Sequence, residues 1–523
     1  MPTSLASIPS NKSPEVSQVH SARVRPKLKL QPLVRDIGLT IATELFVLVS
    51  ILLVTSLMGR LLGASPLGEY LLVRRVVAWL YSGAQLGLGV ALPRYVAYAV
   101  NSSDGKRESY FIAAFSLLLG TALCLGVVLF IGRPHVSQWL FGSAQLTRLM
   151  LPLWFLILGL LTHAAVYGYY RGCLLIARAN AMQLSNSLLA LITVLVLYRL
   201  HSLPLIVTTM GCCTVVNAGV FAVPIFSTIK AHTWPAGFIN HAFELLRYGI
   251  GRVPGDFGSS ALFALGPMVA AHYMPMARVS YLLLGLNILM AVGYSAAPLG
   301  IVLLSKLSIM LSQNRRTDVQ ARLEQLLTAV VDISAFTCCQ LLVFADIVIR
   351  AWVGPGFLGA TLVVRLLVLA IPPYLLYAAL RSSIDAASVK PRNAANIGVA
   401  LIAYLICIGL TTKLASLPYL LDGLAASLLA ALVVLGFLSA NTVRRLYDCR
   451  MPWSRVGRSV AISIFLGIVS VGFRAIYSSQ GSIVGVVAFE CAISIVFVAF
   501  LMRQRSSWVQ YLVSRLGTVP GRR

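Results

Sequence analysis

The sequence predicts an all-α polytopic membrane protein of about fourteen transmembrane helices, built as two six-helix lobes followed by two further helices. Three observations predict it: the composition, an apolar run of bilayer length that recurs along the chain, and an alternation of basic loops. Of 523 residues, 58% are hydrophobic and only 11% are charged. A soluble core stops growing at a few hundred residues, so that much apolar surface cannot be hidden from water. A bilayer is a solvent in which it is stable.

A hydrocarbon core of about 30 Å needs about 20 apolar residues in a helix. Runs of that length fall at 37–58, 69–92, 110–131, 149–169, 181–199 and 203–226, then at 252–273, 279–303, 325–345, 362–380, 394–412, 419–439, 457–476 and 482–502. Only helices satisfy their own backbone groups in lipid at this length, so every span is α-helical.

Charge supplies orientation. A net charge of +26 would suit nucleic acid, but its placement points to a membrane. The termini and even-numbered loops hold 31 of the 42 Lys and Arg, and the odd loops with adjoining helix ends hold the other 11. Basic residues stay on the cytoplasmic side, so both termini are expected there and no nucleic-acid partner is expected. Residues 1–36 carry no apolar segment before the first span, which reads as a disordered basic cytoplasmic tail and not a cleaved signal peptide. Residues 503–523 read as a second such tail. The nine cysteines show no CxxC and no histidine at ligand spacing, so neither a metal nor another cofactor is expected.

The chain repeats at an offset of 210 to 213. Tyr167 and Arg171 fall on Tyr377 and Arg381, Asn186 on Asn396, and Glu69-Tyr70 on Ser280-Tyr281. The expected lobes are therefore 37–230 and 231–440, with the extra helices at 441–502. Each lobe holds an even number of spans, which makes the repeat parallel and places a cleft between lobes that can open to either side in turn.

Ionisable groups at bilayer depth cost a few kcal/mol or more unless they face a partner or a wet cavity. Here they are Glu44, Arg74, Arg75, Arg252, Asp256, Asp332 and Glu490. Glu44 and Asp256 are 212 residues apart and so occupy matching places in the two lobes. They are candidates for proton or sodium coupling, the plain alternative being that each pairs with a nearby arginine. Arg252 and Asp256 are four apart, which on a helix lets them neutralise each other, and Pro254 and Gly255 loosen the backbone between them. Arg74 and Arg75 are about 100° apart around their helix, so one is expected to snorkel outward while the other faces the cleft. Arginines lining a cleft suit a diphosphate, through charge-assisted and often bidentate contacts. Arg60, Arg148 and Arg278 near outer helix ends, and Arg94, Arg171, Arg178 and Arg381 at cytoplasmic ends, are accounted for by snorkelling and by the positive-inside effect.

Several stretches resemble the bacterial polysaccharide flippases. They are Gly63-Ala64-Ser65-Pro66-Leu67-Gly68-Glu69-Tyr70, Leu86 through Tyr95, Leu246-Arg247-Tyr248-Gly249 through Asp256, Ala351-Trp352-Val353-Gly354-Pro355, and Pro372-Pro373-Tyr374 leading to Arg381. The resemblance, over roughly 37 to 500, is to Wzx-type proteins of the multidrug/oligosaccharidyl-lipid/polysaccharide exporter superfamily. It implies two six-helix lobes around a basic cavity, in the bacterial cytoplasmic membrane. It implies transfer of an undecaprenyl-diphosphate-linked oligosaccharide to the outer leaflet, with ion coupling, and a polysaccharide polymerase and export machinery as partners. Arg252, Arg74 and Arg75 are the candidates for the diphosphate. Two other classes compete. A multidrug antiporter of the same superfamily usually has twelve spans and an acidic site, whereas this chain has only 16 acidic residues. A membrane-embedded enzyme acting on polyprenyl sugars usually needs a large outer loop and acidic or histidine catalytic groups, which this sequence does not provide. An enzyme is therefore not expected.

Overall fold

The computed structural model describes residues 30–100, 105–229, 237–313, 316–387, 391–449, 453–477 and 483–504. Its helices are, in chain order, α1 (Leu30–Leu62), α2 (Ala64–Ala84), α3 (Leu88–Ala99), α4 (Lys106–Ile131), α5 (Arg133–Phe141), α6 (Met150–Gly172), α7 (Ile176–Leu197), α8 (Leu203–Thr228) and α9 (Phe238–Gly249). They continue with α10 (Val253–Tyr273), α11 (Met276–Ser312), α12 (Arg316–Trp352), α13 (Thr361–Val368), α14 (Ile371–Ala387), α15 (Arg392–Leu414), α16 (Leu420–Tyr447), α17 (Trp453–Ile476) and α18 (Ile483–Arg503). Helix α1 takes in residues 30–36, which were expected in the tail. The rest of both expected tails, 1–29 and 505–523, lies outside the described residues.

Among the described residues, eleven helices are long and apolar enough to cross a bilayer, and two bent pairs pass the same test together, which makes thirteen. Helix α10, on the remaining expected run, is 21 residues long but does not pass that test, since Asp256, Ser259, Ser260 and His272 lower its hydropathy. All of these helices lie on the expected runs.

Both bends have a local cause. Helices α2 and α3 meet at 47°, across Leu86 and Gly87, whose φ values of 52° and 70° are left-handed. Glycine is required at 87, because a Cβ there would strike the backbone of Gly249. The Pro355–Val368 segment and α14 meet at 50°. Pro372 and Pro373 follow that break and cannot donate to, or fit against, the preceding turn.

Helices α1 to α8 form one bundle and α10 to α16 a second, while α17 packs on α12 and α18 on α17. Close approach uses small residues, as at α6 and α8, where Gly159 meets Gly211 and Thr214. The seam between bundles is made chiefly by α2, which packs against α10 and α11. Outward-facing Val216, Val220 and Val223 of α8 and Ile402, Leu405 and Ile406 of α15 stay uncovered, as lipid contact demands. The end of the molecule that carries the basic loops is called the basic end below, and the opposite one the far end.

Candidate functional site

Helix α2 is surrounded on both sides in the seam, so consecutive positions on it both face protein. Arg74 and Arg75 line one pocket with Leu48, Ile51 and Leu52 of α1 and Asn287, Met290, Ala291 and Tyr294 of α11. The expectation that one arginine snorkels away fails for this reason. Arg75 Nη2 donates to Asn287 Oδ1 at 2.6 Å, and Nη1 approaches the Met290 sulfur. The Arg74 guanidinium lies 5.7 Å above the Tyr70 ring. Asn287 Nδ2 is buried without a partner among the described residues and leaves a further donor. Asn287 stands 212 residues after Arg75, at the repeat offset, so matching positions of the two bundles touch each other. Asn287 carries no charge by which it could be singled out in the sequence. The cavity holds only about 40 Å³, little more than a water molecule's share of about 30 Å³. A diphosphate enters only if the bundles part.

Arg252 is not brought to this pocket. It ends a 3-10 turn, Ile250–Arg252, that precedes α10. It is half-buried at the basic end, with no hydrogen bond or ion pair among the described residues. That turn breaks the α-helical register on which pairing with Asp256 depends. Asp256 meets Arg381 of α14 instead, at 2.9 Å. Arg381 therefore has a partner inside the second bundle that the positive-inside effect did not foresee.

The matching acid behaves differently. Glu44 is exposed on α1, and its contact is with Gln183 Nε2 of α7 at 3.4 Å. Arg171, which corresponds to Arg381, stands 5.6 Å over the Tyr167 ring. An acid, a tyrosine and an arginine thus occur in both bundles, with the acid and arginine closed into an ion pair in the second and, among the described residues, left open in the first.

Contacts at the far end were not legible in the sequence. The Trp352 indole donates to the Leu52 carbonyl at 2.8 Å. Ser56 Oγ and Arg60 Nε donate to the Trp352 carbonyl at 2.5 and 3.1 Å, and Arg60 also reaches the Ala351 carbonyl. These bonds tie α1 to the end of α12 and close the two bundles on each other. Beside them Gly68 packs on the Met276 backbone and Gly142 on that of Ala271, and Arg148 binds both oxygens of Glu69 at 2.8 and 2.9 Å. Asp346 holds α17 to the second bundle through Arg474 at 2.5 Å and also meets Arg365 at 3.7 Å.

No protein-family model matches this sequence. No curated protein matches it. Solved structures do. The lipid II flippase MurJ in an inward closed conformation superposes with a TM-score of 0.71 at 14% identity, covering 90% of this chain and 99% of its own. An inward-facing multidrug resistance MATE family transporter of the MOP superfamily gives 0.63 at 13%, covering 78% of this chain and 95% of its own. The eukaryotic MATE transporter AtDTX14 gives 0.57 at 14%, covering 83% and 99%. At these identities the likeness is one of fold. The MATE transporters are matched nearly end to end by about four-fifths of this chain, whereas MurJ takes nine-tenths of it.

Proposed function

We propose that the chain is an alternating-access transporter that flips an undecaprenyl-diphosphate-linked oligosaccharide from the cytoplasmic to the outer leaflet for surface polysaccharide synthesis. It acts without chemistry on its cargo. One observation carries the reading: Arg74, Arg75 and Asn287, whose Nδ2 has no partner among the described residues, converge in the seam between bundles. The pocket lies about 15 Å along α2 from its start, near the middle of a bilayer. Guanidinium groups there are costly unless an anion visits them. Likeness in fold to a protein named as a lipid II flippase supports the same cargo class.

In this reading the lobes are 37–230 and 231–440, the extra helices are 441–502, and both tails are cytoplasmic at the bacterial inner membrane. The basic end is then the entry side. Arg252, half-buried there and without an ion pair among the described residues, meets the diphosphate first, and Arg74 and Arg75 take it when the bundles part. Glu44 and Asp256 carry the coupling proton or sodium ion. The chain belongs, on this reading, with the Wzx-type flippases and works beside a polymerase and export machinery.

Reconstituted vesicles test it. Oligosaccharide-lipid loaded in the inner leaflet is expected to become accessible to an external glycosidase with wild-type protein and not with Arg75→Ala. Equal rates in both would remove the pocket from the mechanism. The second reading, a cation-coupled multidrug antiporter, is favoured by the MATE likeness and by the exposed carboxylate of Glu44, whose contact is with the neutral Gln183. It requires ion-driven efflux of cationic dyes from the same vesicles.

A further inference from the structure

We propose that Arg94, Arg171 and Arg178, each laid on a tyrosine ring at the basic end of the first bundle, form a docking surface for anionic phospholipid of the adjoining leaflet. The inference stands apart from the cargo reading and uses none of its pocket residues. Arg94 lies 4.6 Å from the Tyr248 ring centre and 5.5 Å from that of Tyr98, and donates to the Tyr248 hydroxyl at 2.7 Å. Arg171 lies 5.6 Å over Tyr167, and Arg178 lies 6.0 Å over Tyr170.

The three share one rim. The end of α3 packs on α6, with Gly168 against Leu92 and Pro93 and Gly172 against Val96. A three-residue turn through Leu174, at φ 58°, then leads into α7.

Their partners are the decisive feature. Among the described residues no carboxylate lies within ion-pair distance of any of the three. The nearby acids are engaged: Glu108 is held by Arg107 at 2.5 Å and Glu244 by the Tyr110 hydroxyl at 2.6 Å. Arg148 and Arg381 each meet a carboxylate, and Arg365 and Arg474 share that of Asp346. An aromatic face holds a guanidinium flat, and a bond to the tyrosine hydroxyl, such as that from Arg94 to Tyr248, uses only part of its five N–H donors, so the others remain for an oxyanion. Phosphate oxygens are the acceptors such a planar fork fits best.

The surroundings choose a lipid over a soluble phosphate. Leu174 is 76% exposed on the same rim. Helix α9 lies across α3 and α4 and presents Ile239 and Phe243, four apart on one face and 79% and 65% exposed. Charge above and uncovered apolar groups beside it match a phosphate joined to acyl chains.

The positive-inside effect alone would treat all basic-end arginines alike, which gives the test its control. Arg444, Arg445 and Arg458 are exposed at the same end of the second bundle and rest on no aromatic ring among the described residues. Full-length protein in neutral detergent is titrated with phosphatidylglycerol or phosphatidylcholine, and bound lipid is counted by native mass spectrometry. Wild type is expected to prefer phosphatidylglycerol. Each single change, Arg94→Gln, Arg171→Gln or Arg178→Gln, should weaken that preference about fivefold, and the triple about a hundredfold. The triple Arg444→Gln, Arg445→Gln and Arg458→Gln should change it less than about twofold. Equal losses in the two triples would reduce the effect to diffuse charge and overturn the site. So would displacement of the lipid by inorganic phosphate, or an unchanged preference in the rim variants. If the rim triple does not fold, the three single variants decide.

Discussion

Replacing Trp352 by phenylalanine removes one donor from the contact that joins α1 to the end of α12. The indole bond to the Leu52 carbonyl at 2.8 Å is lost, while the Trp352 and Ala351 carbonyls still accept from Ser56 and Arg60. A neutral hydrogen bond contributes about 1 kcal/mol, and the smaller ring forfeits roughly another 1 kcal/mol of packing. Together they lower the closed-to-open ratio at the far end about 30-fold. Arg60→Gln removes a charged donor to two carbonyls and acts in the same direction by about 2 kcal/mol. Spin labels at Ser65 and Leu358, exposed near the far ends of α2 and α12, report the gap by pulsed electron resonance in a cysteine-depleted background. Both variants should populate a longer distance than wild type. Distance distributions identical to wild type in both would show that this contact holds no gate, and the alternating-access reading would lose its far-end closure.

Other outcomes follow from the same geometry. Arg252→Ala should abolish transport while the protein still reaches the membrane, checked by vesicle flipping and by membrane fractionation. Asp256→Asn leaves Arg381 without its carboxylate. With both side chains partly exposed, the cost should be about 1 to 3 kcal/mol, read as a drop of several degrees in Tm, and the reversed pair Asp256→Arg with Arg381→Asp should recover part of it. Gly87→Ala should destabilise more than Gly105→Ala. Both glycines have left-handed φ, at 70° and 67°, but only a Cβ at 87 meets another backbone, that of Gly249. The comparison is read by thermal unfolding in detergent. Glu44→Gln should uncouple transport from an imposed ion gradient without weakening cargo binding, measured by flipping rates with and without the gradient.

The order and extent of the spans were legible because bilayer thickness fixes helix length, and hydropathy reports it directly. Helix α10 shows the limit: its run was found, yet it carries Asp256 and two serines for a reason that lies in its contacts and not in lipid. Rotation about each helix was not legible. Whether Arg74 and Arg75 face one pocket depends on how α2 is enclosed, and only packing determines that. Pairings across the chain were hidden by their separation, with 125 residues between Asp256 and Arg381 and 300 between Leu52 and Trp352. A local rule favoured Arg252 for Asp256, and the 3-10 turn that defeats it leaves no mark that four-residue spacing can detect. The repeat did carry information about the site, since its offset joins Arg75 to Asn287. Asparagine, having no charge, drew no attention from an inventory of ionisable groups.

In the proposed function this chain moves a lipid-diphosphate-linked oligosaccharide across the membrane through the Arg74 and Arg75 pocket. The most direct test measures the amount and leaflet of that lipid in cells lacking the chain, complemented with wild type or with the Arg74→Ala, Arg75→Ala double variant. Complete units are expected to accumulate on the cytoplasmic side, with surface polysaccharide lost, in the null and the double variant alike, and wild type to restore both. Normal leaflet distribution and normal polysaccharide in the null cells would contradict it.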